Sequence, residues 1–132
     1  IKNKLQLLRN VKAYAKESQD VIAYECLKAE YFFYPTNFCE TFCNCAAEAQ
    51  LYHCVCIYNN IGGLNTTIDN RGLQINYNIN NIDYVEKTCN DVMNLMKNEA
   101  KKNDYLIRSH NWAKTLDINI LKNKWLTLFT SE

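Results

Sequence analysis

"FCETFCNCAAEAQLYHCVCIYNN", residues 38–60, carries five of the chain's seven cysteines, at positions 39, 43, 45, 54 and 56. Two of them frame Asn44 and two frame Val55, giving a pair of Cys-x-Cys motifs. Whether this stretch is helix or strand, and whether its sulfurs are staples or ligands, sets the fold. Pro35 denies helical geometry to Tyr34 before it. Thr36 offers an N-cap hydroxyl, and Gly62-Gly63 offers a stop. Together these signals predict one helix over residues 37–58.

In such a helix Cys43 and Cys45 point about 200° apart and cannot converge on one ion. Structural zinc sites also space paired ligands by two to four residues, because a turn must present both sulfurs together. The expectation is therefore disulfides, with no metal and no other cofactor. If a metal were held, its ligands would be Cys43, Cys45, Cys54 and Cys56, with His53 competing. The disulfide candidates are Cys26, Cys39, Cys43, Cys45, Cys54, Cys56 and Cys89. One scheme bridges Cys26 and Cys89 each to the central segment. Another folds the segment as a helical hairpin near residues 48–51, with Cys43 facing Cys56 and Cys45 facing Cys54. Spacing leaves the connectivity open. Seven is odd, so one thiol stays free or links two chains, which makes the protein a monomer or a disulfide-linked dimer.

Outward from this segment, apolar residues recur at helical spacing over residues 2–33. Leu5, Leu8, Val11 and Ala15 form one stripe, and Val21, Ile22, Cys26 and Ala29 continue it. That predicts one long helix, or two joined near Ser18. "YFFY", residues 31–34, reads as the core-facing end of that helix. "LQINYNI", residues 73–79, alternates apolar and polar residues, and "DNRG" before it suggests a turn. The expectation there is a small β-hairpin around residues 64–80. Asp83 and Glu86 form a capping box for a helix over 84–103 with the stripe Val85, Cys89, Val92, Met96 and Ala100. Asp104 is the expected cap for a last region over 105–129, broken near Asp117. The fold class is mainly α: one disulfide-stapled domain over residues 1–132, with four to six helices.

The 132 residues suffice for one core, since a chain this long buries roughly two-thirds of its unfolded surface. A net charge of +1 gives no chain-wide footprint for nucleic acid or an anionic membrane. No apolar run approaches the ~20 residues of a spanning helix. The chain opens on Ile1 with no basic-apolar leader, which fits a mature form whose leader was removed. Cysteine density places it in an oxidising, extracellular setting. Asn65-Thr66-Thr67 adds an N-glycosylation acceptor pattern at Asn65.

Catalytic chemistry finds little support. His53 and His110 are the two imidazoles, and adjacent residues on a helix do not face each other, so His53 and Cys54 make no nucleophile pair. His110 lies on an apolar stripe as a core histidine; Cys89 with His110 is the one conceivable nucleophile and base. Three glycines build no phosphate loop. Glu17, Asp20, Glu25 and Glu30 read as solvated charge, and "KNEAKKND", residues 97–104, reads as a charged helix end.

With CNC at 43–45 and CVC at 54–56 in a small chain rich in Tyr and Asn, the sequence resembles the bicycle family. These are secreted salivary proteins of gall-forming aphids, named for two Cys-Tyr-Cys motifs; here the middle residues are Asn44 and Val55. The resemblance implies a secreted helical effector delivered into plant host tissue, acting on unknown host proteins without catalysis, with Cys43, Cys45, Cys54 and Cys56 structural. Two other readings stand beside it. Cys39 and Cys43 share the three-residue gap of helical odorant-binding carriers, which would need an enclosed apolar cavity of roughly 300 Å³ or more. An intracellular zinc module would need stoichiometric metal.

Overall fold

The second Cys-x-Cys lies on a strand, not a helix. The computed structural model describes residues 9–76, 78 and 80–130. In chain order it contains α1 (Gln19–Lys28), β1 (Tyr31–Tyr34), α2 (Asn44–Leu51), β2 (Val55–Asn59) and α3 (Leu64–Thr67). A 3-10 turn (Asp69–Arg71), β3 (Leu73–Ile75), α4 (Ile82–Met96), α5 (Glu99–Lys114) and α6 (Ile118–Thr130) follow. Helix predominates, as expected. The sheet has the order β1-β2-β3 with both pairings parallel: Tyr31 opposes Val55, Tyr34 opposes Tyr58, and Asn59 opposes Ile75.

Three expectations are corrected here. The helix expected over 37–58 shrinks to α2, and the expected end of the first helix, YFFY, becomes β1. Aromatic and β-branched residues suit a pleated surface. All five residues of β2 are buried, and a parallel strand covered on both faces reads as one unbroken apolar run, without the alternation that marks a half-exposed strand. Among the described residues the expected hairpin over 64–80 does not form. Residues 64–67 are helical, and β3 joins β2 in parallel instead of turning back on a neighbour. Tyr77 and Ile79, the far half of the alternation, lie outside the described residues, as do Leu5 and Leu8.

Local geometry explains where the helices stop. Cys43 takes a left-handed φ of 66°, so the chain before it cannot join α2. The Thr36 hydroxyl accepts the Phe38 N–H in a local turn rather than capping a helix. At the other end His53 is left-handed, with φ 62°. Its N–H donates to the Gln50 carbonyl and the Cys54 N–H donates to the Ala49 carbonyl at 2.9 Å. That is the Schellman closure, with histidine where glycine is usual. Gly62-Gly63 serves a different purpose from a helix stop. A Cβ on Gly62 would sit 2.7 Å from Cys39 Sγ, and one on Gly63 would sit 2.2 Å from the Thr41 carbonyl oxygen. The pair seats residues 39–42 against the body.

The two faces of β2 alternate, which accounts for the CVC spacing. Cys54, Cys56 and Tyr58 share a core with Cys43, Ala46, Ala49, Leu64 and Ile68. Val55 belongs to a second core with Leu95 of α4 and Tyr105 of α5. Gln50 ties α2 to α3, its amide donating to the Ala46 and Thr67 carbonyls.

Residues 9–18 form no helix, and α1 begins after Ser18, whose side chain makes no capping bond. The expected helix over 84–103 divides into α4 and α5. Asn81 caps α4 by accepting the Asp83 N–H, and Asn98 caps α5 by accepting the Lys101 N–H. The expected caps are displaced: Asp83 lies within the first turn, and Asp104 lies inside α5 and pairs with Arg108. The break near Asp117 is present, between α5 and α6. No helix among the described residues is long and apolar enough to cross a membrane.

Candidate functional site

All seven cysteines are single thiols in the structure, and they fall into two groups. Cys43, Cys54 and Cys56 are buried together, and half-buried Cys26 packs against them. Period two on β2 places Cys54 and Cys56 on one side. The Cys54 thiol donates to the Cys26 carbonyl at 3.3 Å and to the Ala29 carbonyl at 3.4 Å, joining α1 to the start of β2. Cys39, Cys45 and Cys89 are exposed. Cys39 and Cys43, placed by the expected helix over 37–58 within one helix, both lie outside any helix.

Burial governs thiol chemistry here. Desolvation, with the neighbouring Cys26 adding to it, pushes Cys54 up to about 11. Burial pushes Cys56 further in the same direction, and it raises Cys26 and Cys43. A thiol held protonated is a poor nucleophile and a poor ligand. The alternative ligand set is split, with Cys45 turned to solvent while its three companions are buried. No group of three or more His, Cys, Asp or Glu among the described residues is placed to hold a metal ion.

The histidines meet each other rather than a cysteine. The His53 and His110 rings stack with centroids 3.7 Å apart. His110 Nδ1 lies 2.9 Å from the Leu51 carbonyl oxygen, which makes it the donor at that nitrogen. Burial, then His110 and Lys114, lower the pKa of His53. The pair thus locks the end of α2 to α5, a structural duty. Cys89 is exposed on α4, and His110 spends its ring on Leu51 and His53. Glu25 pairs with Lys28 at 2.7 Å on the surface, as solvated charge does. Asn65 is exposed at the start of α3, but Thr67 is fully buried and its hydroxyl donates to the Phe42 carbonyl. A glycosyltransferase reading Thr67 must therefore meet the chain before it folds.

The feature that sequence reasoning missed is a groove of about 470 Å³, partly open to solvent, where α2, α5 and α6 meet. Phe42, Ala47, Leu51, Ala113, Leu116 and Leu121 give it an apolar lining, and Glu48, Lys114 and Asp117 add charge. Behind it, the Phe42 ring lies 6.4 Å from Trp112, and the Arg71 guanidinium covers Trp112 at 4.4 Å. Leu116 and Leu121, flanking the break at Asp117, were the available signal. The pairing of α2 with α5 that builds the opposite wall is a long-range event. No protein-family model, curated protein or solved structure matches the chain.

Proposed function

We propose that this chain is a secreted, disulfide-stabilised effector-type protein that binds host macromolecules without catalysis, through the groove between α2, α5 and α6. The observation that carries this reading is the groove itself: concave, apolar, open on one side, and built on helices rather than loops. An opening of that shape suits an apolar segment of a partner, in the helix-in-groove manner. Buried, protonated thiols and histidines engaged with each other support the non-catalytic part. The resemblance of CNC and CVC to bicycle-family motifs supports secretion. In an oxidising compartment, a thiol oxidant such as a small-molecule disulfide takes two electrons and two protons from each cysteine pair. Cys26 packs against the core that holds Cys43, Cys54 and Cys56, so these four supply the candidates for buried pairs.

A second reading, a small-ligand carrier, draws on the groove volume of about 470 Å³, but the groove is open on one side where a carrier needs an enclosed cavity. A photo-crosslinking residue at Leu116, with Lys87 as a control position on α4, separates the two. Exposed to extract of the tissue that receives the protein, the Leu116 probe should yield a protein-sized adduct and the Lys87 probe none. A small-molecule adduct at Leu116 alone would favour the carrier. Adducts at neither position, or equally at both, would sink the groove as a binding site.

A further inference from the structure

Helix α6 buries none of its side chains. Its helical spacing aligns Ile118, Leu121, Trp125 and Phe129 on one stripe, at steps of three, four and four. Ile118 is 74% exposed, Trp125 57% and Phe129 76%. The Trp125 and Phe129 rings stack with centroids 5.6 Å apart, so the aromatic end of the stripe is ordered on itself. Leu126 and Leu128, 51% and 64% exposed, widen this stripe on its two sides; Lys122 sits inside the arc between Phe129 and Leu126, and Lys124 lies just beyond Leu128. The far side carries Asn119, Asn123, Thr127 and Thr130 with Ile120 among them, the two threonines returning hydroxyls to the Asn123 and Leu126 carbonyls. From Ile118 to Thr130 there is no acid.

That charge distribution decides what can cover the stripe. Two copies paired through this face would enclose each Lys122 among apolar side chains with no acid on α6 to meet it, so a second copy is disfavoured. A wide aromatic apolar face with one lysine inside it and one beside it, no acid, and a back mainly of Asn and Thr is instead the pattern of a helix lying in the plane of a bilayer interface. The lysine stems run along the apolar surface while the ammonium groups reach outward. The chain-wide charge of +1 hides this local balance. We propose that α6 docks the protein on an anionic lipid surface, with Ile118, Leu121, Trp125 and Phe129 entering the headgroup boundary and Lys122 and Lys124 meeting lipid phosphates or carboxylates. This docking does not rest on the groove function; Leu121 is shared with the groove wall, while Trp125 and Phe129 lie beyond it.

The test is flotation of the full chain with two kinds of vesicle: phosphatidylcholine alone, and phosphatidylcholine mixed with phosphatidylserine. The chain should float with the phosphatidylserine vesicles and weaken as salt rises. Each lysine is worth roughly fivefold in partitioning, so Lys122→Gln with Lys124→Gln should lower binding roughly 25-fold. Trp125→Ala with Phe129→Ala should abolish it. All four side chains are exposed, and unchanged circular dichroism of the variants would establish that they fold. Equal flotation with both vesicle types would overturn the lipid-charge assignment. Absence of flotation would overturn the proposal, and a concentration-dependent dimer seen by sedimentation would then assign the stripe to a second copy. A protein adduct to α6 without flotation would equally overturn it in favour of a protein partner.

Discussion

Replacing Ile57 with alanine puts the strand assignment of the central cysteine segment at risk. Ile57 sits mid-way along β2, 1% exposed, between Phe33 on one neighbouring strand and Leu73 on the other. The substitution removes three buried carbons, each worth about 0.8 kcal/mol of transfer free energy. A close-packed sheet interior relaxes only in part, so a cavity cost is added. The expected loss is about 3–4 kcal/mol, a large share of the ~5–15 kcal/mol typical of a domain. Leu51→Ala is the control. It lies in the same segment but is 40% exposed at the end of α2, and should cost about 1 kcal/mol. Urea denaturation followed by circular dichroism reads both losses. If residues 37–58 were one amphipathic helix, Val55 and Ile57 would lie about 200° apart and only one of them could face a core, whereas here both are 1% exposed, so Val55→Ala should also cost about 2 kcal/mol or more. A loss at Val55 or Ile57 no larger than that at Leu51 would refute the parallel sheet.

Gly63→Ala should cost about 3 kcal/mol or more, because the new Cβ would meet the Thr41 carbonyl oxygen at 2.2 Å and backbone must move; a thermal melt within a degree or two of the parent would contradict the seat drawn for residues 39–42. Arg71→Lys should cost about 1–3 kcal/mol, since lysine cannot reach the Thr66 and Thr67 carbonyls while stacking on Trp112; denaturation midpoints check it. Reduced protein should lose stability as pH rises from about 9 towards 11. Burial raises the folded-state pKa of Cys54 to about 11, so its contribution is complete below the unfolded-state value near 9 and drains as pH passes upward through the folded one. In the oxidised form a paired Cys54 has no proton to lose, and that part of the alkaline slope should vanish. Tyr34, through the bond it donates to Glu40, and Tyr58, mainly through burial, are each pushed up to about 12. In both redox forms their contribution should drain from about pH 10 towards 12, and Tyr58→Phe should flatten it.

The helical majority was legible because α4 and α5 carry long periodic patterns, and the break at Asp117 was visible where polar Thr115 and Asp117 interrupt the stripe. The sheet was not legible. Tyr31–Tyr34 and Val55–Asn59 are short apolar runs, and a strand buried on both faces has no period to detect. His53 hid the turn between α2 and β2, since the left-handed position there holds no glycine. Residues 64–67, with their threonines, resemble a strand locally. Their helix is held from outside, by Thr67 on the Phe42 carbonyl and by the Gln50 amide. The cysteines were evident as a set, but which four share a core follows from β2 and its two-residue alternation.

The account rests most directly on the state of the thiols in protein from its natural source. Intact mass should be taken after thiol alkylation in denaturant, which exposes the buried thiols, without and with prior reduction. Six cysteines should resist alkylation until reduced, with one thiol left over. If all seven alkylate without reductant, or if zinc travels with the protein in stoichiometric amount, the chain belongs to a reducing compartment and the secreted, disulfide-stabilised reading fails.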